Sequence, residues 1–303
     1  MDLMSLVSAV GSSIPQGVLW GIMCLGVYIT FKVLDFADMT VDGSFALGGS
    51  VSAVLIVNGA PPLFTVLVAT LAGMLAGVIT GVLNTKLKIP AILAGILPMI
   101  ALYSINIRIM DKSNIPLLGE DTVMTQLSKI LPLSQSISSL VVGVVFCVGL
   151  MAFLYWFFGT EVGSAIRATG NNEQMVRALG ANTDMMKIFG LLIGNGLVAM
   201  SGALVSQSQG FADVSMGVGT IVIGLASVII GEVIFGRRFS FLYKLFSVVM
   251  GSIIYRMVIA VVLWLGMKST DLKLLTAVIV AAALSIPVVK DSLLKPNKIK
   301  KAA

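Results

Sequence analysis

Few residues in this chain are of types that could do chemistry, and where they stand matters more than how many there are. There is no histidine, so the commonest metal ligand and the commonest general base are both missing. Cys24 and Cys147 fall inside apolar runs and read as small buried hydrophobes rather than as a disulfide or a metal site. No G-x-x-x-x-G-K-[ST] phosphate loop occurs, so the chain is not expected to cradle ATP itself. No catalytic residue and no metal ligand set is expected. Two kinds of candidate remain: a polar segment wedged between long apolar runs, and a handful of polar groups inside the runs themselves.

The polar segment opens the stretch GSAIRATGNNEQMVRALGANTDMMKIFGLLIGNGLVAMSG, Gly163 to Gly202. It begins at Glu161, and Asn171 or Asn172 is a credible helix N-cap. Met175, Val176 and Leu179 make an apolar stripe at i, i+1, i+4, and Gly180 is a C′ stop. The pattern predicts a helix of about ten residues, and one so short is marginal in water without a surface to pack on. Two surfaces are open to it. The helix could rest on lipid headgroups, as basic amphipathic helices do. Its narrow stripe, without Trp or Phe and flanked by Asn, Gln and Glu, suits a protein groove better. In that reading Met175, Val176, Ala178 and Leu179 are the knobs and Arg167 and Arg177 the polar anchors. The same two arginines also serve as plain topology determinants.

Charges within apolar runs each cost at least about 2.5 kcal/mol at a bilayer centre and so need a reason. Asp42, Ser44, Asn106 and Arg256 are the candidates for lining a transport path. Arg256 could instead snorkel or pair with Asp213. Glu232 reads as an interfacial partner of Arg237, and Asn106, Asn195 and Gln207 are explained by hydrogen bonds between helices. In VLDFADMTVDGSFALGGSVSAVL, Asp42 or Thr40 could cap the following helix, whose glycines Gly43, Gly48 and Gly49 loosen it. The other reading of that stretch is a broken helix on the path.

The elements that must position these groups are membrane spans. Of 303 residues, 57% are apolar and 11% charged, and the mean hydropathy is +1.03; a soluble domain carries about 25% charged residues. Nine spans are expected at about 14–31, 41–58, 62–83, 90–109, 137–158, 186–207, 217–235, 241–264 and 273–289, in one all-α domain over 1–303. The first basic residue is Lys32, so the short amphipathic start lacks the charged region of a signal peptide. Lys32, Lys86, Lys88, Arg167, Arg177, Lys187, Arg237, Arg238, Lys244 and the tail 290–303 fall in one set of connections. The alternate set holds little beyond Lys112, Lys129, Lys268 and Lys273, with Arg108 near a span end. The basic set is predicted to be cytoplasmic, placing the amino end outside. The net charge of +6 therefore follows topology and does not point to nucleic acid. Gly73, Gly77 and Gly81, and again Gly190 and Gly194, form small-xxx-small ridges for close helix packing.

The run RATGNNEQMVRALGANTDMMKIFG, followed by a glycine-studded span through MSGAL, resembles the cytoplasmic coupling region of ATP-binding-cassette importer permeases of the branched-chain amino-acid and ribose type. DFADMTVDGSFALGGSVSA resembles that family's second signature, and KIPAILAGILPMIALYSINIRIM extends the match in family order. The resemblance implies a BtuC-like (type II importer-like) bundle of about nine spans in a bacterial cell membrane. It also implies a second permease copy, cytoplasmic P-loop ATPases that hold ATP and Mg, and an extracytoplasmic solute-binding lipoprotein. The segment 161–184 would then be the coupling element, with Arg167, Asn172, Met175, Val176, Arg177, Ala178, Leu179 and Gly180 meeting the ATPase. The TVDGS variant resembles a subgroup in which some members handle aromatic amino acids, so an amino acid is the expected solute. On that resemblance, the first span of the usual ten-span ribose-type layout is expected to be absent here. The alternative class is an ion-coupled secondary transporter, which would need carboxylates at the bilayer midplane.

Overall fold

A computed structural model of the chain describes residues 3–131, 134–235 and 240–267, with isolated positions between 271 and 285. The apolar runs form helices, because a chain in lipid must satisfy its backbone N–H and C=O groups internally. In chain order these are α1 (Leu3–Val27, continued by a π-helical turn Tyr28–Val33), α2 (Thr40–Val57), α3 (Pro62–Thr85), α4 (Ala91–Met110) and the short α5 (Val123–Ile130). They continue with α6 (Gln135–Gly159), α7 (Glu161–Asn171), α8 (Glu173–Ala178), α9 (Thr183–Gln209), α10 (Thr220–Phe235) and α11 (Phe241–Trp264). Among the described residues the departure from an all-helical chain is one antiparallel ladder, β1 (Asn114–Pro116) on β2 (Phe211–Asp213), with Ile115 opposite Ala212.

Among the described residues seven helices are long and apolar enough to cross a membrane: 8–33, 40–57, 62–85, 91–110, 135–159, 183–209 and 241–264. Seven of the nine expected spans fall on them. The span expected at 217–235 is shorter than expected. Residues 217–219 form a turn, Gly219 takes φ +87°, and α10 is 16 residues long. At 1.5 Å per residue that is about 24 Å, less than a bilayer core of about 30 Å. The span expected at 273–289 lies largely outside the described residues, as do Arg237, Arg238, Lys268, Lys273 and the tail 290–303. The amino end is not a separate amphipathic lead, since α1 runs unbroken from Leu3 with Pro15 inside it.

α1, α2 and α9 are mostly buried, whereas α4 and α6 present most of their surface outward. α9 is the central post, packing along α3, α2 and α1, while α1 also packs on α11. Glycine decides how closely these helices approach. A Cβ on Gly73 or Gly77 would overlap α9 at Ala199, Asn195 and Leu191, and one on Gly48 would overlap the Ala199 carbonyl. In lipid, close backbone packing of this kind stands in for the hydrophobic drive of water. The α2 glycines therefore do not loosen that helix, which is continuous over 18 residues; they let α9 and α4 reach its backbone.

Polar residues pin the same contacts. Gln207 of α9 donates to Ser52 (2.9 Å) and Thr65 (3.3 Å) and accepts from the Val123 N–H (2.9 Å), tying α2, α3 and α5 to α9. The basic side chains gather at one end of the bundle. Lys88 and Arg177 both approach Asp184, Lys187 meets Glu173, and Lys32 and Lys244 share a groove with Arg167. The ladder β1–β2 and α5, whose Lys129 pairs with Asp121, belong to the connections beyond α4 and α9.

Candidate functional site

The polar segment folds as two helices rather than one. α7 starts on Thr160, whose side chain accepts from the Gly163 N–H at 3.3 Å. It packs back onto α1, with Ile166 fully buried and Gly170 so close to the Val33 carbonyl that a Cβ would overlap it. At Asn172 the backbone turns extended (φ −159°, ψ 94°), and its side chain accepts from the Met175 N–H at 3.0 Å. α8 follows for six residues. It ends in a Schellman motif: Gly180, at φ +86°, donates to the Arg177 carbonyl (3.0 Å) and Ala181 to the Val176 carbonyl (3.3 Å). Asn172 is thus the cap and Gly180 the stop, as the sequence predicts, but the helix between them is six residues long and not ten.

The apolar stripe divides. Val176, expected to face outward, is buried at 3% exposure and anchors α8, while Met175 (50%), Leu179 (78%) and Ala178 are exposed. The polar face clamps α8 to the first turn of α9. Lys187 donates to Glu173 at 2.7 Å, Arg177 donates to Glu173 at 2.9 Å and to Thr183 at 3.0 Å, and Arg177 lies 3.6 Å from Asp184. The hydrogen bond from Lys187, with the nearby charges of Lys187 and Arg177, holds the Glu173 carboxyl below its ordinary range against the opposing pull of burial. Arg167 turns inward at α7, donating to the Phe158 carbonyl at 2.7 Å with its guanidinium 5.5 Å from the Phe241 ring centre.

The polar groups inside the bundle form two separate constellations. Asp38, fully buried, accepts from the Thr40 N–H (2.9 Å) and from the Asn195 amide (2.6 Å); Asn195 in turn accepts from Ser44 at 2.7 Å. This chain joins the start of α2 to the middle of α9. Asp42 does not cap its own helix. Its carboxylate accepts from the Gly219 N–H (2.9 Å), the Thr220 hydroxyl (2.8 Å) and the Ile221 N–H (2.9 Å), so it caps α10. A carboxylate at that end also complements the α10 dipole.

Beside this junction lies a cavity of about 400 Å³ between α2, α4 and the loop after β2, lined by Asp42, Met99, Ile100, Tyr103, Ser104 and Asn106 among others. Asn106 is 1% exposed; its amide donates to the Gly43 carbonyl at 3.4 Å, but its Oδ1 has no hydrogen-bond partner. Of the four path candidates, then, Asp42 and Asn106 meet at one cavity. Ser44 points to Asn195. Arg256 is elsewhere, its guanidinium 3.9 Å from the Trp20 ring centre, and it makes no pair with Asp213. Asp213 is held by Ser215 and Asn114; burial pulls its carboxyl up, and these bonds outweigh that and leave it low. Glu232 lies 3.6 Å from Lys32, while its expected partner Arg237 is outside the described residues. Sequence reasoning missed Asp38, Tyr103 and Ser104 as site residues. The signal for Asp38, its place between Asp35 and Asp42, could not tell which of three aspartates is buried. Among the described residues no cluster of three or more His, Cys, Asp or Glu could hold a metal.

The chain matches the family model described as branched-chain amino acid transport system / permease component over residues 10–283. It is 43% identical over 290 residues to a tyrosine transport system permease protein of Clostridioides difficile (strain R20291), covering 96% of this chain and 95% of that one. It is 32% identical over 278 residues to an uncharacterized protein of Rickettsia prowazekii (strain Madrid E), covering 90% and 96%. No solved structure matches the chain. A many-span helical bundle, matched from near its first residue through residue 283, belongs to the branched-chain amino acid transport system permease family.

Proposed function

We propose that this permease is the transmembrane subunit of an ATP-driven importer in a bacterial cell membrane, driven through α8 by a soluble ATPase. One observation carries this reading: a six-residue helix, capped at both ends and clamped to the foot of the central post, that leaves Met175 and Leu179 exposed. Leu179 is left largely uncovered and Met175 half uncovered, and a groove on an ATPase would cover them. In this reading Met175, Ala178 and Leu179 enter the groove, Val176 fixes the helix from behind, and Arg167 and Arg177 order the segment. The chain has no phosphate loop, so ATP and Mg belong to the partner. The complex has two permease copies, two ATPases and an extracytoplasmic binding lipoprotein. Each permease has about nine spans, the short α10 among them, in a BtuC-like bundle, with the amino end outside and the basic end of the bundle inside.

The hydrogen bonds supply a route for the stroke. Closure of the ATPase pair displaces α8, and the Glu173–Lys187 and Arg177–Asp184 contacts pass the motion to α9 as a rigid body. α9 holds the start of α2 through Asn195, and α2 holds α10 through Asp42. The cavity at Asp42 and Asn106 lies at that last joint, where relative motion of α2, α4 and α10 would change its shape. A pocket of this size suits a small ligand, and its walls favour a large apolar side chain over a sugar. The tyrosine-transport relative supports an aromatic amino acid as the solute. With its unpartnered Oδ1, Asn106 is the group that would accept a hydrogen bond from it. Asn106→Leu should lower uptake about tenfold or more, the scale of one lost buried hydrogen bond, while ATP hydrolysis continues; uptake at the parental rate would remove the cavity from the path.

The ion-coupled alternative needs a waiting carboxylate inside the bundle, and the described carboxylates within the spans or buried beside them already have protein partners. Asp38 and Asp42 are filled by protein donors, and Glu232 faces Lys32. Co-purification separates the two classes. The importer reading expects a P-loop ATPase to come down with this chain and uptake to stop when hydrolysis is blocked. Ionophore-sensitive uptake without such a partner would contradict it.

A further inference from the structure

The end of the bundle that carries α8 has a second feature that docking does not use. Between the π-helical exit of α1, the foot of α7 and the first turn of α11 lies a polar groove of about 620 Å³, reached by Lys32, Arg167, Lys244 and Asp35. Lys32 lies 3.6 Å from Glu232, whereas Arg167 and Lys244 pair with no carboxylate among the described residues. Among the described residues lining the groove three cations face one carboxylate, Asp35, and Glu232 meets Lys32 from outside the lining. Arg167 and Phe241 are shared with an adjoining, mainly apolar groove of about 500 Å³ whose outer wall is Tyr155 and Trp156. Those two side chains are 53% and 66% exposed, on the last turns of the spanning helix α6. A cationic pocket therefore opens, at Arg167, onto an exposed aromatic shelf.

We infer that the double groove binds one anionic phospholipid, with its phosphate among Arg167, Lys32 and Lys244 and its acyl chains leaving over Tyr155 and Trp156. Guanidinium and ammonium groups make charge-assisted bonds to phosphate oxygens. Basic pockets between membrane helices take anionic headgroups, and Trp and Tyr settle at headgroup level. The excess of cations over carboxylates among the described lining residues suits an anionic phosphodiester. A free phosphate ion would use the cationic half and leave the shelf bare, and a soluble protein could not follow the shelf along a helix that crosses the membrane. The occupant would brace α7 against α1 and α11, directly before the joint at Asn172, so it would stiffen the segment that carries α8.

The test is native mass spectrometry of the full-length chain in detergent, titrated separately with phosphatidylglycerol and phosphatidylcholine. One phosphatidylglycerol per chain is expected to bind about tenfold more tightly than phosphatidylcholine. Lys244→Gln and Lys32→Gln should each weaken it about fivefold, Trp156→Ala should weaken both lipids, and Lys129→Gln, at a residue paired with Asp121 away from the groove, should change nothing. Melting temperatures close to the parent's establish that the variants are folded. Equal affinity for the two lipids, or unaltered binding in Lys244→Gln and Lys32→Gln, would overturn the site. Displacement of phosphatidylglycerol by millimolar inorganic phosphate would overturn the lipid assignment in favour of a soluble anion; resistance to it supports the lipid.

Discussion

Asn195 bridges the buried Asp38, whose other oxygen is held by the Thr40 N–H, to the Ser44 hydroxyl. Its amide donates to the buried Asp38 carboxylate and its oxygen accepts from Ser44. Asn195→Leu removes both bonds and leaves the Asp38 Oδ2 and the Ser44 hydroxyl without these partners, while Thr40 still holds Asp38 Oδ1, a loss of about 1–3 kcal/mol for each buried polar atom so orphaned. The expected outcome is a clearly lower melting temperature in detergent, and a variant that melts with the parent would contradict the junction. The sequence shows that Asn195 lies in a span and that interhelical hydrogen bonding explains it. It does not show the partner, because Asp38 is 157 positions away. Asp42 illustrates the same limit: a carboxylate in the first turn of a helix reads as that helix's own cap, yet its three donors come from residues 219–221.

At the scale of elements, α8 depends on its clamp to α9. Glu173 is the hub, and its carboxyl is held below the ordinary value of 4.5, first by the Lys187 hydrogen bond. A carboxyl whose folded value is depressed contributes stability that is complete above its unfolded value and is lost as pH falls through the folded one. Amide protection over Glu173–Ala178, corrected for the intrinsic pH dependence of exchange, should therefore hold steady above that ordinary value and drop below it. Protection that declines while the pH is still above it contradicts the clamp. The ends of α8 were legible because caps are local: Asn172 and Gly180 act within a few residues of themselves. Its length was not, because the break at Asn172 follows from α7 docking on α1 through Gly170. In the same way, hydropathy marks 217–235 as one apolar run but carries no trace of the turn at Gly219 that shortens α10.

On the scale of the whole molecule, membrane character was legible from composition and the basic end from the loop charges, since both are sums over many residues. Their physical counterpart is a bundle in which α9 runs from the clamped, exposed α8 at its start to the Asp38–Asn195 junction at its middle, with the cavity beyond that junction between α2 and α4. Which residues line that cavity was only half legible, because Asp42 and Asn106 share it with Tyr103 and Ser104 only through the packing of α2 on α4. In the proposed importer force enters through Leu179. The direct measurement is solute uptake and ATP hydrolysis by Leu179→Asp, reconstituted with its ATPase and binding protein. A carboxylate in an apolar groove should abolish uptake and disconnect hydrolysis from the binding protein, while the variant still inserts in the membrane with its parent's thermal stability. Uptake at the parental rate by that variant would contradict the account.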